Sequence, residues 1–157
     1  AGAGLNRPRF ENGRGLRIAG FNQTYTPENR MQIPAQWQRL VPHLGKIACH
    51  ADAHAYGVCW NYRPDSSFDY LCGVEVRDAA SLPAEYTTLE LQSQRYAVFE
   101  HTDHISTIAK TIDAIWLKWV PNCGLQAVEA PCFERYTPAF DPAKGMGGIE
   151  IWIPVQV

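Results

Sequence analysis

The chain has 157 residues, is 46% hydrophobic and carries a formal net charge of −2, enough to bury roughly two thirds of its unfolded surface without a metal or disulfide staple. The near-neutral balance excludes the broad basic field that nucleic-acid binding needs, and no run reaches the apolar length of a membrane span or a signal-peptide core. Five cysteines (Cys49, Cys59, Cys72, Cys123 and Cys132) are odd in number and form no CxxC pair, which predicts a reduced, cytoplasmic protein rather than a disulfide framework.

The opening "AGAG" has no pattern that bears on the fold. "PRFEN", "GRG" and "LRIAGF" then read as strand, glycine turn and strand, a hairpin signal. Thr26-Pro27 reads as a helix cap followed by proline, with Pro34 as an alternative, later start. Ile33, Trp37, Leu40, Val41 and Leu44 recur at helical spacing. "HADAH" (50–54) resembles a metal site only superficially, because neither a third ligand nor an HExxH pattern accompanies it. "YGVCWNY" and "YLCGVEV" make a second hairpin, and "DAASLPAEY" joins it to the C-terminal half of the chain.

The C-terminal half repeats the order. "TTLEL-QS-QRYAVF" is again strand, turn and strand. "HTDH" (101–104) reads as the cap of a second helix, on which Ile105, Ile108, Ile112, Ile115, Trp116 and Trp119 recur with Lys110, Asp113 and Lys118 on the other side. "APCFERY" and "GIEIWIPV" close the set as a hairpin. Four blocks coincide in order: "RIAGF" over "RYAVF" at an offset of 78, "IPAQWQRLVP" over "IDAIWLKWVP" at 79, "WNYRP" over "ERYTP" at 74, and "GVEV" over "GIEI" at 75. The reading is one domain over 1–157, duplicated as halves near 7–77 and 86–154. The class is α+β: hairpin-helix-hairpin units forming one antiparallel sheet with two helices on its inner face.

Strand alternation assigns the faces. Val74 and Val76, and Ile149, Ile151 and Ile153, form the inner set, leaving Glu75, Glu150 and Trp152 outside. Val58, Trp60 and Tyr62 share one face and Cys59 and Asn61 the other, which puts Trp60 inside. The repeat then lays Trp60 over Glu134 and Tyr62 over Tyr136, so Glu134 takes an inward position beside Cys132. A buried carboxylate needs a cation or a structural partner. A buried salt bridge to an internal Arg is the plain reading. Aromatic walls from Trp60, Tyr62, Trp116 and Tyr136 suggest an anchor for a flat organic cation instead. Trp37, the repeat mate of Trp116, reads equally well as core, and Cys132 as a small buried hydrophobe.

Three stretches carry a family resemblance: Tyr96-Ala97-Val98-Phe99-x-His101-Thr102, Trp116-x-x-Trp119-Val120-Pro121 and Phe133-Glu134-x-Tyr136. They resemble the GyrI-like small-molecule-binding domain, which also forms the effector-binding half of many AraC-type and MerR-type regulators. Asp103 stands where relatives usually have Gly. The resemblance implies a pseudo-twofold, concave sheet with a ligand cleft between two helices. By its match to Phe-Glu-x-Tyr, Glu134 is the residue that would meet the cationic group of a drug or effector. Regulators of this kind carry a helix-turn-helix before the domain; with none before the first hairpin, the expectation is a stand-alone binding module, or one acting through a partner such as a DNA-binding chain in a regulatory system. Neither metal nor cofactor is expected, nor direct contact with nucleic acid or membrane. Two alternatives stand behind cation binding. One is a small-molecule hydrolase using Glu134 as general acid or base, for which no second catalytic partner occupies a matched inner position. The other is a topoisomerase-inhibitor-like interaction module using an outward Trp152.

Overall fold

The computed structural model describes residues 7–43, 50–77, 82–124, 130–141 and 143–156, with backbone alone for 50–53. The opening "AGAG", Leu44, and "DAAS" of the linking segment lie outside the described residues. The fold class is α+β with antiparallel pairing in both of its compact units. One unit comprises residues 15–92, the other residues 1–14 together with 93–157.

In the 15–92 unit the strands are β2 (Leu16–Tyr25), β3 (His50–Trp60), β4 (Phe68–Val76) and β5 (Thr87–Leu91). β4 pairs with both β3 and β2, and β2 pairs on its other side with β5. Helix α1 (Ile33–Leu40) begins with Pro34 in its first turn, where the missing N–H has no intrahelical partner to lose. Thr26-Pro27 instead opens a turn, in which Asn29 Oδ1 accepts from the Thr26 N–H at 2.7 Å. Helix α1 is pinned to the sheet by a polar contact that the apolar stripe did not announce. Gln36, fully buried, donates to the carbonyls of Phe21 (2.7 Å) and Tyr70 (3.0 Å) and accepts from the Tyr25 hydroxyl (2.7 Å). Trp37 Nε1 donates to the Tyr70 hydroxyl at 2.9 Å. Gly57 leaves room for that hydroxyl, since a Cβ there would lie 2.0 Å from it. Val41, expected on the apolar stripe, is exposed.

In the other unit the strands are β1 (Arg9–Gly13), β6 (Gln94–His101), β7 (Cys132–Tyr136) and β8 (Ile149–Pro154). β6 pairs with β1 and β8, and β8 pairs with β7. Helix α2 (Ile108–Ala114) runs on through a π turn at Ile115–Trp119 and a last turn at Val120–Asn122. Pro121 accounts for the widening. An α-helical proline lacks its N–H and clashes with the carbonyl four residues back, whereas here the Val120 N–H reaches five residues back to Ile115.

Two expected hairpins are absent. β1 pairs with β6 rather than β2, and β5 pairs with β2 rather than β6, so each half supplies the first strand of the other unit. Tight hairpin turns require residues at positive φ, and neither Gly13 nor Gly15 takes one; the chain runs on instead of reversing. Gly13 serves close packing, because a Cβ there would lie 2.6 Å from the Tyr96 ring.

Candidate functional site

Residues directly opposite in an antiparallel ladder share a face. In the unit carrying β6, β7 and β8, the ladders set Phe99 opposite Ile151 and Ile151 opposite Glu134. His101, Ile149 and Tyr136 form the next row. Phe10 on β1 lies opposite Ala97, which puts it on the same face. Helix α2 and its π turn cover this face. Trp119 meets Phe99 edge-on with ring centres 4.9 Å apart and lies 6.5 Å from Phe10. At the row of His101, Nδ1 of that residue lies 2.8 Å from Thr111 Oγ1.

Glu134 is therefore on the helix-bearing face, with Cys132 and Tyr136 as strand neighbours on that face. Its residue exposure is 9%. The Tyr136 hydroxyl donates to Glu134 Oε1 at 2.8 Å, and the Tyr136 ring packs edge-on against Phe140 at 5.2 Å. Ile149, Ile151 and Phe99, each at most 2% exposed, supply a low-dielectric surround in which a charge acts more strongly than in water. Trp116 is half-buried on the π turn, while Leu117 and Lys118 are exposed.

The two aromatic residues assigned from the first half sit otherwise. Trp60 lies opposite Asp69, and its Nε1 donates to Asn22 Oδ1 at 3.0 Å. The α1-bearing face of that unit is the one with Phe21, Tyr70, Cys72 and Val74, so Cys59 faces α1 and Trp60 faces away. Tyr62 lies beyond the end of β3, is 59% exposed, and rests 5.8 Å from the Phe68 ring. Two physical causes misdirect the alternation. Both sheet faces are buried, with Val58 and Leu71 inaccessible on one and Cys72 and Ala19 on the other, so an apolar residue does not identify its face. The register also differs between the halves: Ala55 is opposite Val74, whereas Tyr136 is opposite Ile149. With Val74 and Ile149 75 apart, the ladder counterpart of Tyr136 is Ala55, 81 residues earlier, rather than Tyr62, 74 earlier. The discrepancy of seven is odd and reverses the face.

The opposite face of β6, β8 and β7 holds a network that the sequence reading placed in solvent. Glu150 Oε1 accepts from Arg135 Nε (2.7 Å) and Trp152 Nε1 (3.1 Å), and Glu150 Oε2 from Arg9 Nη2 (2.9 Å). Burial alone would push the Glu150 carboxyl up, but the hydrogen bonds from Arg135, Arg9 and Trp152 outweigh it and hold the group below the ordinary carboxylate range. Trp152 is only 6% exposed. Phe133 stacks on it at 5.3 Å, Tyr96 meets it edge-on at 5.4 Å, and the Arg135 guanidinium lies 4.9 Å over its ring. A partner protein thus has no outward Trp152 to grip.

A depression of about 620 Å³ opens at the strand ends near Glu100, Asp141, Lys144, Met146 and Glu150. Glu134 does not line it. Its charged groups are mixed in sign and Glu150 is already satisfied by its cations, so we place the candidate site at Glu134, on geometry. Among the described residues no three metal-ligating side chains cluster, and His104 caps the turn before α2 by accepting from the Ser106 N–H at 3.0 Å. Among the described residues, Cys59, Cys72, Cys123 and Cys132 form no disulfide with one another. No helix among the described residues is long and apolar enough to cross a membrane.

Each unit is thus an antiparallel sheet carrying a helix, and one of them sets a nearly buried carboxylate among apolar and aromatic side chains. Residues 7–156 match the GyrI-like small molecule binding domain. The chain belongs to that family. It is 29% identical over 121 residues to the transcriptional regulator BrlR of Pseudomonas aeruginosa, an alignment covering 76% of this chain and 44% of the regulator; the chain thus spans less than half of that relative. Among solved structures, its fold is similar to that of SAV2435 bound to tetraphenylphosphonium (TM-score 0.79, 22% identity, 96% of this chain and 94% of that one). It is also similar to an integron cassette protein of Vibrio cholerae (TM-score 0.69, 20% identity, 97% of each chain). A third is the C-terminal domain of EcmrR (TM-score 0.65, 11% identity, 96% of this chain and 97% of that one).

Trp119 and Phe99 were not among the sequence-assigned site residues. The signal was present: Trp119 continues the Ile108–Ile112–Ile115 stripe four residues after Ile115.

Proposed function

We propose that the protein binds lipophilic organic cations, with the Glu134 carboxylate as charge anchor and Tyr136 holding it in place. The observation that carries this reading is the position of Glu134: on the helix-bearing face, 9% exposed, bonded to Tyr136 and set in a row with Ile151 and Phe99. Two strand spacings, about 10 Å, separate the backbones of Glu134 and Phe99, a span suited to a ligand with its charge at one side and an aromatic ring under Trp119 at the other. Trp116, on the same helical segment, is proposed as a further wall; Trp60 and Tyr62 are not, given their positions. The complex of SAV2435 with a phosphonium cation supports the ligand class. The likeness to a transcriptional regulator supports a role in which a DNA-binding partner reads the occupied state.

A cation about 5 Å from the carboxylate, at an effective dielectric of about 20, gains about 3 kcal/mol. Glu134→Gln removes the charge but keeps a dipole, so the expected loss is smaller, about 10- to 100-fold in Kd. The test is a titration with tetraphenylphosphonium and with uncharged triphenylphosphine oxide, read by tryptophan fluorescence. The cation should weaken selectively in Glu134→Gln, and equal effects on both ligands would refute the anchor.

A further inference from the structure

The exchanged strand β1 enters the unit that holds Glu134 and places Phe10 on its helix-bearing face. Phe10 is 41% exposed and lies between two partners: Trp119, with ring centres 6.5 Å apart, and the Arg95 guanidinium, 5.5 Å from its ring centre. Arg95 also donates to Asn12 Oδ1 at 3.0 Å. Trp119 in turn stands edge-on against Phe99, the end of the row that contains Glu134. Phe10 thus supports one side of the ring that the binding reading uses as a ligand wall.

Resting on that reading, we propose that Phe10 is a positioning residue of the binding site and that β1 docking and cation binding are coupled through Trp119. The energetic basis is modest and specific. β1 is a five-residue strand of exposed and half-buried residues, held by its ladder to β6, by Arg9 to Glu150 and Glu100, and by Asn12 to Arg95. A short strand of this kind opens locally at a low cost compared with global unfolding. When it opens, Trp119 loses Phe10 and the wall loosens. A ligand that requires the ordered ring therefore favours the docked strand, and linkage makes the effect reciprocal: the factor by which docking tightens the ligand is the factor by which the ligand favours docking. The strand supplied by the opposite half of the sequence thereby becomes a part of the site that responds to occupancy.

The test uses the whole chain with tetraphenylphosphonium as probe. Phe10→Ala should raise Kd about 2- to 10-fold, the worth of an aromatic pair, and Phe10→Tyr, which keeps the ring, should restore it. Saturating phosphonium should slow amide hydrogen exchange across residues 9–13 and 94–98 in the wild-type protein and do so less in Phe10→Ala. Urea midpoints of the variants separate this effect from a general loss of fold. An unchanged Kd in Phe10→Ala, or exchange across β1 and β6 indifferent to ligand while the wild type binds, would overturn the coupling and leave the binding reading intact. Failure of the wild-type protein to bind the phosphonium would overturn both.

Discussion

Gln36 offers a strong test of how the helices are fixed to their sheets. Its side chain is inaccessible to solvent and makes three hydrogen bonds, to the Phe21 and Tyr70 carbonyls and from the Tyr25 hydroxyl. Gln36→Met keeps the length and nearly the volume, so the packing term is small. What changes is polar. The Tyr25 hydroxyl, in a side chain 1% exposed, is left without that acceptor, which costs about 1–3 kcal/mol, and the two lost bonds to carbonyls add about 1 kcal/mol together. The carbonyls cost less, each having a second lone pair. The expected destabilisation is about 2–4 kcal/mol, measured by urea denaturation at pH 7 with the slope unchanged. Adding Tyr25→Phe to Gln36→Met removes the orphaned hydroxyl and should recover about 1 kcal/mol or more, because deleting both partners is far cheaper than deleting one. A loss below 1 kcal/mol in Gln36→Met, or a double variant no more stable than the single one, would refute the reasoning.

Three further outcomes rest on the same geometry. The depressed Glu150 carboxyl stabilises the fold above the unfolded carboxylate value of about 4.3, and that contribution is lost as pH falls through its lower folded value. Glu150→Gln should therefore be less stable than wild type at pH 7, with the gap narrowing in acid, and a gap independent of pH would contradict the network. Burial pushes the Cys72 thiol up to about 12, so iodoacetamide at pH 8 should leave it unmodified in the native protein and alkylate it only after unfolding. Trp60→Phe should leave phosphonium affinity within about twofold of wild type, since its ring faces away from α1 and its indole bonds Asn22; a larger loss by titration would restore it to the site.

The features that were legible in the sequence are those that local patterning controls. The Ile108–Ile112–Ile115 stripe specifies the covered side of α2, and alternation within β8 groups Ile149 with Ile151; Glu134 was assigned to their face through its repeat mate Trp60, whose own facing was wrong, and an odd register offset cancelled the error. Alternation could not say how a strand is paired. β1 and β5 look like the first arms of hairpins because each precedes a strand across a short polar link, yet each pairs with a strand more than 60 residues from it in sequence. Nothing in five residues of strand reveals so distant a partner. The only local clue was negative: "GRG" and "QS" lack the Asn-Gly or Asp-Gly chemistry of a tight reversal.

The duplication misled for a related reason. Matching "WNYRP" to "ERYTP" aligns residues near the ends of two strands, but the connections after them differ, with 61–67 after β3 and 137–148 after β7. Sequence identity at a strand end follows the turn that begins there, whereas the face of a side chain follows the ladder behind it. The two can drift apart by any number of residues, and an odd drift reverses the face. Trp60 was misplaced because Val58, on its face, is as buried as the residues of the opposite one, and the odd drift then carried Glu134 from that wrong face to the right one. On the proposed reading the same drift makes the two halves unequal. The Glu134 position depends on the register of β7 against β8, and β3 against β4 has a different register, so the repeat does not supply a second, symmetry-related anchor. On the proposed reading, one carboxylate on one unit serves as the anchor, beside a strand drawn from the other half of the sequence.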